Sequence, residues 1–557
     1  MNTLFHCRTI PSRFASFIVF LHIAITFASA QTNEQAEVIR VFIFAGQSNM
    51  EGADSKIDDV QNFPPFIGAT EANPDVLFSY SLGRDNKSES QGWVPLQSVR
   101  DWVGPELTFA RELKKTVDFP IAIIKCAAGG THLGGDWNPD NPSGFKLYPH
   151  LRQLVSSSLA ALDAKGLPYR IEGFMWHQGE NDMFEKDYLQ NYGRNLKNFI
   201  EHCRRDLESP NLRFYIGELC TKTIWGMDLR PRMYAISLGQ REVTNHDPLA
   251  EYVPTSHIGV EIGHPVGLHY HYGTLGQLEH GVNYAHAYLK AIDQYQRPKA
   301  PSVEWPQPKS SKLKLYILAG HRNMEGERAF LQELPANSPL RDPKNNIPFH
   351  YSLGGGVQTS SSWEPLRPSG YYDTFGPELS FGERLQENDS SPFAIAKYTH
   401  SGSQIIDWTP EGSEAKARNL YSQFIRYIKA RVADLEAKGH AVQLEGIFYH
   451  MGENDMSFYP YRRDAAKRLK SIVEQSRIDL RRPKLKWYVS QQTPTNEKGL
   501  NRVDPVAEVM TLAEADPHFY HLRELSFSKQ DKELVLDTEA VLQLGYQIAD
   551  YYLERIK

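Results

Sequence analysis

The chain has few cysteines for its length, which limits how its fold can be stabilised. Only four are present among 557 residues, and Cys7 lies in an N-terminal segment of a different kind. The other three, Cys126, Cys203 and Cys220, are odd in number, and none has the spacing of a zinc site. The sequence is compatible with two alternatives, a Cys203–Cys220 disulfide or three buried thiols. We expect neither a metal nor another cofactor.

The sequence also lacks an excess of positive charge and has only one long apolar run. Its 61 Lys and Arg residues against 67 Asp and Glu residues give a net charge of −6, which argues against a nucleic-acid partner. The apolar run FIVFLHIAITF (17–27) follows Arg8 and Arg13 and ends in Ala-Ser-Ala (28–30), the pattern of a secretory signal peptide. It is shorter than the ~20 apolar residues of a spanning helix. We expect residues 1–30 to be removed and the mature protein to be secreted or periplasmic, without a membrane segment.

An internal repeat is the most informative feature of the sequence. A chain of 557 residues is too long for one hydrophobic core, and its segments recur in order at an offset of about 272 residues. The matched pairs include FIFAGQSNMEG (42–52) with YILAGHRNMEG (316–326), GPELTF (104–109) with GPELSF (376–381), and IEGFMWHQGENDM (171–183) with LEGIFYHMGENDM (444–456). The repeat predicts a first domain at 31–297, a proline- and lysine-rich linker at 298–311, and a second copy at 312–557.

Both copies alternate short apolar runs with segments of helical period. The runs are rich in Val, Ile, Phe and Tyr, which is typical of buried strands: VIRVFIFAG, PIAIIKCAA, IEGFMWH and LRFYIG in the first copy, and KLKLYILAG, PFAIAKYT, LEGIFYH and LKWYVS in the second. Buried strands that alternate with helices indicate parallel sheets covered on both faces. The predicted fold class is α/β, with two three-layer sandwiches in tandem.

Polar residues follow several of these strands in the first copy. Ser48 comes directly after the first strand, where a reactive side chain of an open α/β sheet is expected, although a serine there also suits a helix cap. Gly129 and Gly130 follow the second strand, and Gln178 and Asn181 follow the third. Histidines occur in GLHYHYGTLGQLEHG (267–281), before the last helix. A nucleophile, a base and several donors make a set suited to acyl transfer.

These blocks resemble those of SGNH hydrolases, in particular carbohydrate esterase family 6 and the sialate O-acetylesterase-like domains. GQSNMEG is close to the nucleophile block of that family, and WHQGEND to its third block. The resemblance implies a flavodoxin-like sheet with Ser48 as nucleophile. It also implies an oxyanion hole from the backbone of Ser48, from Gly129 or Gly130, and from Gln178. The implied substrate is an acetylated carbohydrate.

The base and its orienting acid are less clearly marked. Counting back from Gly281 places the family's histidine at His271, whereas local similarity to a Gly-Leu-His run favours His269. The family's aspartate three positions upstream is absent in either case. We therefore expect another carboxylate to orient the imidazole, or a Ser–His dyad. The candidate acids are Glu180, Asp182 and Glu261.

The second copy keeps the strands and helices but loses the chemistry. When the repeats are aligned, the second copy has Arg322 in place of Ser48, Met451 in place of Gln178, Val535 in place of His271 and Ser401 in place of Gly129. Arginine cannot act as a nucleophile and valine cannot accept a proton. We therefore predict a non-catalytic domain in which Arg322 pairs with Glu453 or Asp455. His177 and Asp182 have counterparts in this inactive copy, which favours structural roles for them.

Two functions of different class follow. The first is a secreted serine esterase that removes short acyl groups, O-acetyl above all, from carbohydrate by a Ser–His acyl-enzyme mechanism. The second is a non-catalytic carbohydrate-binding protein built on an impaired esterase fold. The intact Ser48 and Gln178 favour the esterase, and the oligomeric state is left open.

Overall fold

The computed structural model describes residues 38–557 except 86, 225–226, 256, 259–269, 297–298, 307–311, 415–417, 458, 493–504, 528–533 and 557. The predicted signal peptide, His269 and Glu261 therefore lie outside the described residues. In the first copy the strands are β1 Ile39–Gly46, β2 Asn73–Leu82, β3 Ser88–Glu89, β4 Val94–Leu96, β5 Ile121–Ala127, β6 Tyr169–His177, β7 Arg213–Gly217, β8 Thr223–Ile224, β9 Met227–Asp228 and β10 Ala250–Val253. Its helices are α1 Ser48–Glu51, α2 Pro105–Leu113, α3 Leu147–Asp163, α4 Lys186–Asp206, α5 Arg230–His246 and α6 Gly273–Ala291.

The second copy repeats this order of elements. Its strands are β11 Leu313–Gly320, β12 Lys344–Leu353, β13 Gln358–Thr359, β14 Glu364–Leu366, β15 Phe393–Thr399, β16 Val442–His450, β17 Trp487–Ser490 and β18 Phe519–Leu522. Its helices are α7 Arg322–Glu325, α8 Glu378–Asn388, α9 Tyr421–Ala437, α10 Glu453–Met456, α11 Tyr459–Arg462, α12 Ala465–Asp479, α13 Pro505–Ala515 and α14 Thr538–Ile556. Short 3₁₀ turns connect them at Ile57–Asn62, Pro64–Phe66, Asp182–Phe184, Leu331–Glu333, Pro339–Arg341, Gly354–Gly356, Tyr371–Asp373 and Ile405–Trp408.

The two sheets have the same topology. Within the described residues the first sheet runs β10-β7-β6-β1-β5-β2-β3 with β4 beside β2, and the second has the matching order β18-β17-β16-β11-β15-β12-β13 with β14 beside β12. The pairs that join β10, β7, β6, β1, β5 and β2 are parallel, and only the short β3 and β4 are antiparallel. Apart from β2, the parallel strands follow the flavodoxin-like order 2-1-3-4-5. The predicted α/β fold class is confirmed.

Each central strand is buried on both faces, as its continuous apolar run indicates. In β1, Val41 and Ile43 pack with apolar side chains of α3, α4 and α5, whereas Phe42 and Phe44 pack with α2 and α6. The first domain is therefore a three-layer sandwich whose β1 lies at its centre. The loop after β1 consequently emerges between two layers of helices, at the carboxyl edge of the sheet.

Candidate active site

Ser48 begins the short helix α1 immediately after β1. The turn requires glycine at position 46, since φ is +155° there and a Cβ atom would lie 2.0 Å from the carbonyl oxygen of His177. This close approach directs the chain sharply into α1. The backbone N–H of Ser48 lies at the start of that helix and has no acceptor within the described part of the chain.

Three side chains form a hydrogen-bonded line that starts at Ser48. The Nε2 atom of His271 lies 3.0 Å from Ser48 Oγ, and its Nδ1 atom lies 2.6 Å from Asp54 Oδ2. With the proton on Nδ1 directed at the carboxylate, Nε2 is free to accept the Ser48 proton. The hydrogen bond from His271 lowers the pKa of Asp54, against the opposing effect of partial burial. The arrangement is that of a Ser–His–Asp triad.

Asp54 was not among the acids considered from the sequence. Glu180 and Asp182, which were, lie fully buried and bind other groups. Glu180 Oε1 accepts Asn49 Nδ2 at 2.7 Å and lies 3.2 Å from His177 Nε2. The sequence contained one usable signal for Asp54. Its counterpart in the second copy is Arg328, so this acid is lost together with the nucleophile and the base.

Asn49 joins the nucleophile helix to the histidine segment. Its Nδ2 donates to the carbonyl of Tyr270 at 3.4 Å, and its Oδ1 accepts the backbone N–H of Tyr272 at 3.2 Å. Asn49 therefore contacts the residues on both sides of His271. The contact with Glu180 in turn orients the Asn49 amide, so Glu180 acts behind the triad rather than on His271.

Gln178 does not occupy the position expected of an oxyanion donor. It is buried, and its Nε2 atom contacts Gln47 Oε1 at 3.1 Å, Thr131 O at 2.9 Å and Asp182 Oδ2 at 2.6 Å. An amide has only two hydrogens, so these contacts leave none for a substrate. Asp182 also accepts two backbone N–H groups of the neighbouring loop, from residues 133 and 134. Asp182 thus joins the loop at residues 133–134 to the side chain of Gln178.

The two glycines after β5 differ in their surroundings. The backbone N–H of Gly129 donates to Glu51 Oε2 at 2.6 Å, so this amide is directed at a protein carboxylate instead of an open pocket. Burial raises the pKa of Glu51, and the Gly129 hydrogen bond and Arg100 oppose that rise. Gly130, in contrast, lies beside the side-chain amide of Asn181. Because Asn181 Oδ1 accepts Gln47 Nε2 at 3.3 Å, its Nδ2 faces the glycine.

A surface pocket of about 330 Å³ opens at the nucleophile. Its wall includes Ser48, Glu51, Ala53, Gly83, Arg84, Asp85, Arg100, Trp102 and Gly129. Arg84 is exposed, and its guanidinium lies over the ring of Phe145 at 5.2 Å. Arg100 is held by Leu82 O at 2.7 Å and Ser88 Oγ at 2.8 Å. The pocket combines an aromatic wall with a cation that faces solvent.

The matching site of the second copy is rearranged. Asn323 brackets Leu534 and Leu536 in the way that Asn49 brackets the neighbours of His271, which places Val535 at the position of the base. Arg322 replaces the nucleophile, but its side chain does not pair as predicted. It forms two hydrogen bonds to Glu327, at 2.8 and 2.7 Å.

The expected partners of Arg322 make other contacts. Glu453 accepts the backbone N–H groups of Arg322 and Asn323, each at 3.1 Å, and Asp455 accepts that of Ile405 at 2.8 Å. Glu453 is already bound to two backbone N–H groups, whereas Glu327, five residues after Arg322, accepts both Nε and Nη2 of the guanidinium, the bidentate geometry that favours this pair.

The cysteines of the first copy form no disulfide. Cys126, Cys203 and Cys220 are free and buried, so the open choice is resolved in favour of three thiols. No cluster of three or more His, Cys, Asp or Glu side chains that could hold a metal occurs among the described residues. The described helices include none with the length and apolar content needed to cross a bilayer.

Known proteins resemble both halves of the chain. The family described as "carbohydrate esterase, sialic acid-specific acetylesterase" matches residues 38–290 and, separately, residues 312–554. A probable carbohydrate esterase of Arabidopsis thaliana is 28% identical over 189 residues, which are 31% of this chain and 66% of that protein.

Several solved structures align with slightly less than half of the chain at lower identity. An Arabidopsis thaliana protein is 21% identical over 45% of this chain and 98% of its own, with a TM-score of 0.35. NanS is 17% identical over 47% of this chain and 99% of its own, with a TM-score of 0.36. A carbohydrate acetylesterase from Xanthomonas citri is 15% identical over 47% of this chain and 58% of its own, with a TM-score of 0.33.

Proposed function

Because this chain belongs to the sialic acid-specific acetylesterase family of carbohydrate esterases, we propose that its first domain is a serine esterase that removes O-acetyl groups from a carbohydrate. The observation that carries the proposal is the line from Ser48 through His271 to Asp54, with contacts of 3.0 and 2.6 Å. These are the distances that proton transfer from a nucleophilic hydroxyl requires.

The reaction follows from this geometry. His271 Nε2 takes the proton of Ser48 Oγ as the oxygen attacks the acetyl carbonyl carbon, and Asp54 stabilises the imidazolium that forms. Collapse of the tetrahedral intermediate breaks the bond to the sugar oxygen, which receives the proton from Nε2. Water then attacks the acyl-serine by the same route, which releases acetate and restores the Ser48 hydroxyl.

We propose that donors in the loops after β1 and β5 stabilise the oxyanion that develops on the substrate. The backbone N–H of Ser48 and the loop Gly129–Gly130 border the Ser48 side chain, since a Cβ atom at Gly129 would lie 3.3 Å from Ser48 Cβ, and the Nδ2 group of Asn181 faces Gly130. Fixed donors of this kind stabilise charge that appears only in the transition state. Gln178 and Gly129 do not contact the oxyanion in this proposal. They hold the surrounding loops in place through hydrogen bonds to Asp182 and Glu51, respectively.

The pocket wall supports an acidic sugar as substrate. Arg84 is exposed at the mouth of the pocket, and a guanidinium binds a carboxylate through two parallel hydrogen bonds. We also propose that the enzyme is secreted or periplasmic, on the basis of the predicted signal peptide at 1–30. The second domain, 312–557, is proposed to be non-catalytic.

Substitution of the nucleophile tests the proposal. Acetate release should be measured with p-nitrophenyl acetate, O-acetylated sialic acid and acetylated xylan, which cover a neutral ester, an acidic sugar and a neutral polymer. We expect Ser48→Ala to lose activity by about 10³-fold or more on every substrate that the wild type hydrolyses. The exposed Ser156→Ala is the matched control and should retain full activity. Activity that survives Ser48→Ala contradicts the assignment, and a wild type inactive on all three substrates but able to bind them favours the carbohydrate-binding alternative.

A further inference from the structure

The degenerate site of the second domain is covered by the first domain. Its remnant is a cavity of about 40 Å³ between the two domains, which has room for only a few water molecules and is too small for a sugar. Glu325, Glu327 and Ser401 line it from the second domain, and His257, Glu279 and Asn283 line it from the first. Glu279 and Asn283 lie on α6, the helix that directly follows His271.

One segment of the first domain is held at both ends by the second. We name residues 218–224 and 227–230 the bridging segment. At its start Glu218 Oε1 lies 3.7 Å from Arg418 Nε, and both side chains are more than 90% buried. At its end Asp228 accepts the Tyr461 hydroxyl hydrogen bond at 2.9 Å. Arg230 there donates to Gln404 Oε1 at 2.6 Å and lies over the Tyr461 ring at 4.0 Å.

The interior of the bridging segment contacts the neighbours of the catalytic base. Thr221 Oγ1 donates to the carbonyl of Tyr270 at 2.8 Å, and the Tyr272 hydroxyl donates to the carbonyl of Glu218 at 3.2 Å. Tyr270 and Tyr272 flank His271, whose Nε2 must stay within hydrogen-bond reach of Ser48. A chain of direct contacts therefore joins Arg418 to the base.

We propose that the second domain positions His271, and that Arg418 is the positioning residue, acting through Glu218 and the bridging segment. This inference rests on the proposed esterase function. In place of catalysis, the second domain binds the bridging segment of the first domain, and this segment in turn fixes His271. The ion pair is shielded from water, so its loss is not compensated by solvent. A small displacement of a catalytic group reduces turnover strongly, even when the change lies far from the reacting atoms.

The test compares Arg418→Gln and Arg418→Lys with the wild type, using p-nitrophenyl acetate. We expect Arg418→Gln to lower kcat by about tenfold with KM unchanged, since substrate contacts are untouched. Arg418→Lys keeps the charge and should restore most of kcat. If Arg418 acts through Glu218, the double variant Arg418→Gln/Glu218→Gln should be no slower than the slower single variant. The exposed Arg463→Gln on the same domain is the control and should leave kcat and Tm unchanged.

An unchanged kcat in folded Arg418→Gln overturns the proposal. The proposal is also overturned if the losses of kcat in the two single variants multiply in the double variant. It is likewise overturned if the kcat of Arg418→Lys is no higher than that of Arg418→Gln. If Arg418→Gln does not fold, Tyr461→Phe removes one hydroxyl hydrogen bond to Asp228 and keeps the ring. It should lower kcat about twofold with Tm almost unchanged, and an unaltered kcat there overturns the proposal. Failure of the esterase function itself is distinguishable, because the wild type would then match Ser48→Ala in the same assay.

Discussion

Asp54, the proposed orienting acid, lies six residues after Ser48, in the loop that leaves α1. Asp54 has a φ of +63°, a conformation that aspartate adopts more readily than most residues, and this turns its carboxylate toward His271. Its side chain is 77% exposed, in contrast to a fully buried orienting acid. Water therefore competes for the carboxylate, and the contribution of Asp54 to catalysis should be moderate.

Asp54→Asn should lower kcat by about 10- to 100-fold. Replacement of a buried orienting acid costs about 10⁴-fold, and the exposed position makes the loss smaller. The hydrogen bond from His271 keeps the pKa of Asp54 below its usual value, so the carboxylate stays charged across the range in which histidine normally titrates. Steady-state ester hydrolysis at pH 7 measures the loss of kcat, and Asp58→Asn, at an exposed position, is the control. An Asp54→Asn enzyme as fast as the wild type would mean that a dyad suffices.

Residues that act through long-range contacts are the ones that sequence reasoning missed. His271 and Asp54 are separated by 217 positions, and no local pattern encodes that contact. Gln178 looked like an oxyanion donor because it follows a strand, but the neighbouring Asp182 and Gln47 bind its amide. Ser48 was accessible to prediction because strand, glycine turn and helix are local features. The loss of Asp54 in the second copy was visible in the repeat, and it would have identified the acid.

At the scale of elements, each copy has a buried lysine at the same place in its sheet, and this lysine connects three segments. Lys125 on β5 forms an ion pair with Glu106 of α2 at 2.6 Å and donates to the carbonyl of Glu51 at 3.2 Å. Lys397 repeats this with Glu378 at 2.9 Å and Glu325 O at 2.9 Å. Strand periodicity predicted β5 and β15, but it could not show that their lysines point inward. The conserved geometry ties the end of the nucleophile helix to the sheet.

Lys125→Met should destabilise the first domain by about 3–5 kcal/mol, because it leaves the carboxylate of Glu106 buried without its partner. Both side chains are at most 2% exposed, so water cannot replace the lysine. Urea denaturation measures the change. The control is Lys115→Met, which removes an exposed ion pair with Glu112 and should change stability by less than about 0.5 kcal/mol. The double variant Lys125→Met/Glu106→Gln should regain part of the lost free energy of unfolding. If Lys125→Met and Lys115→Met lose the same free energy of unfolding, the buried ion pair does not contribute as argued.

At the scale of the molecule, the two copies pack as one structure. Phe330 of the second copy belongs to the apolar core around Phe63 of the first, and Tyr372 packs on Phe66 with ring centroids 4.7 Å apart. The repeat predicted two similar sandwiches but not how they meet. That arrangement depends on contacts between residues far apart in the chain, such as Arg230 and Tyr461, which the repeat does not encode, so it could not be obtained from sequence alone.

Restoring a serine to the second copy should not restore catalysis. In a Ser48→Ala background, Arg322→Ser supplies a hydroxyl, but Val535 and Arg328 still stand in place of the base and its acid, and the first domain covers the site. Catalytic groups that act as a unit are strongly non-additive. We expect acetate release to remain at the level of Ser48→Ala, and any gain would contradict the non-catalytic assignment.

The same substitution should lower stability. Burial raises the pKa of Glu327, but the charge and hydrogen bonds of Arg322 hold it below the usual value. Without Arg322 the buried carboxylate loses a bidentate partner, at a cost of about 3–5 kcal/mol. Adding Glu327→Gln should recover part of this loss, as read from urea denaturation.

A buried histidine at the domain interface should make the stability of the protein depend on pH in acid. His257 lies between the domains and lines the interdomain cavity, and burial is the main reason that its pKa falls to about 4. The unfolded chain binds a proton at this histidine below about pH 6.5, whereas the folded protein does so only below about pH 4. Stability is therefore lost as the pH falls through this window, by up to about 3 kcal/mol below pH 4.

His257→Gln isolates this effect. Asp182, Glu453 and Asp455 have raised pKa values of about 6, 7 and 7, so their protonation stabilises the fold in acid and opposes the histidine. These carboxyl groups are the same in both proteins, so they cancel in the difference between variant and wild type. Relative to the wild type, the variant should gain up to about 3 kcal/mol between pH 7 and pH 4 in urea denaturation. If the unfolding free energy of His257→Gln instead changes with pH in parallel with that of the wild type, burial does not hold the interface histidine neutral.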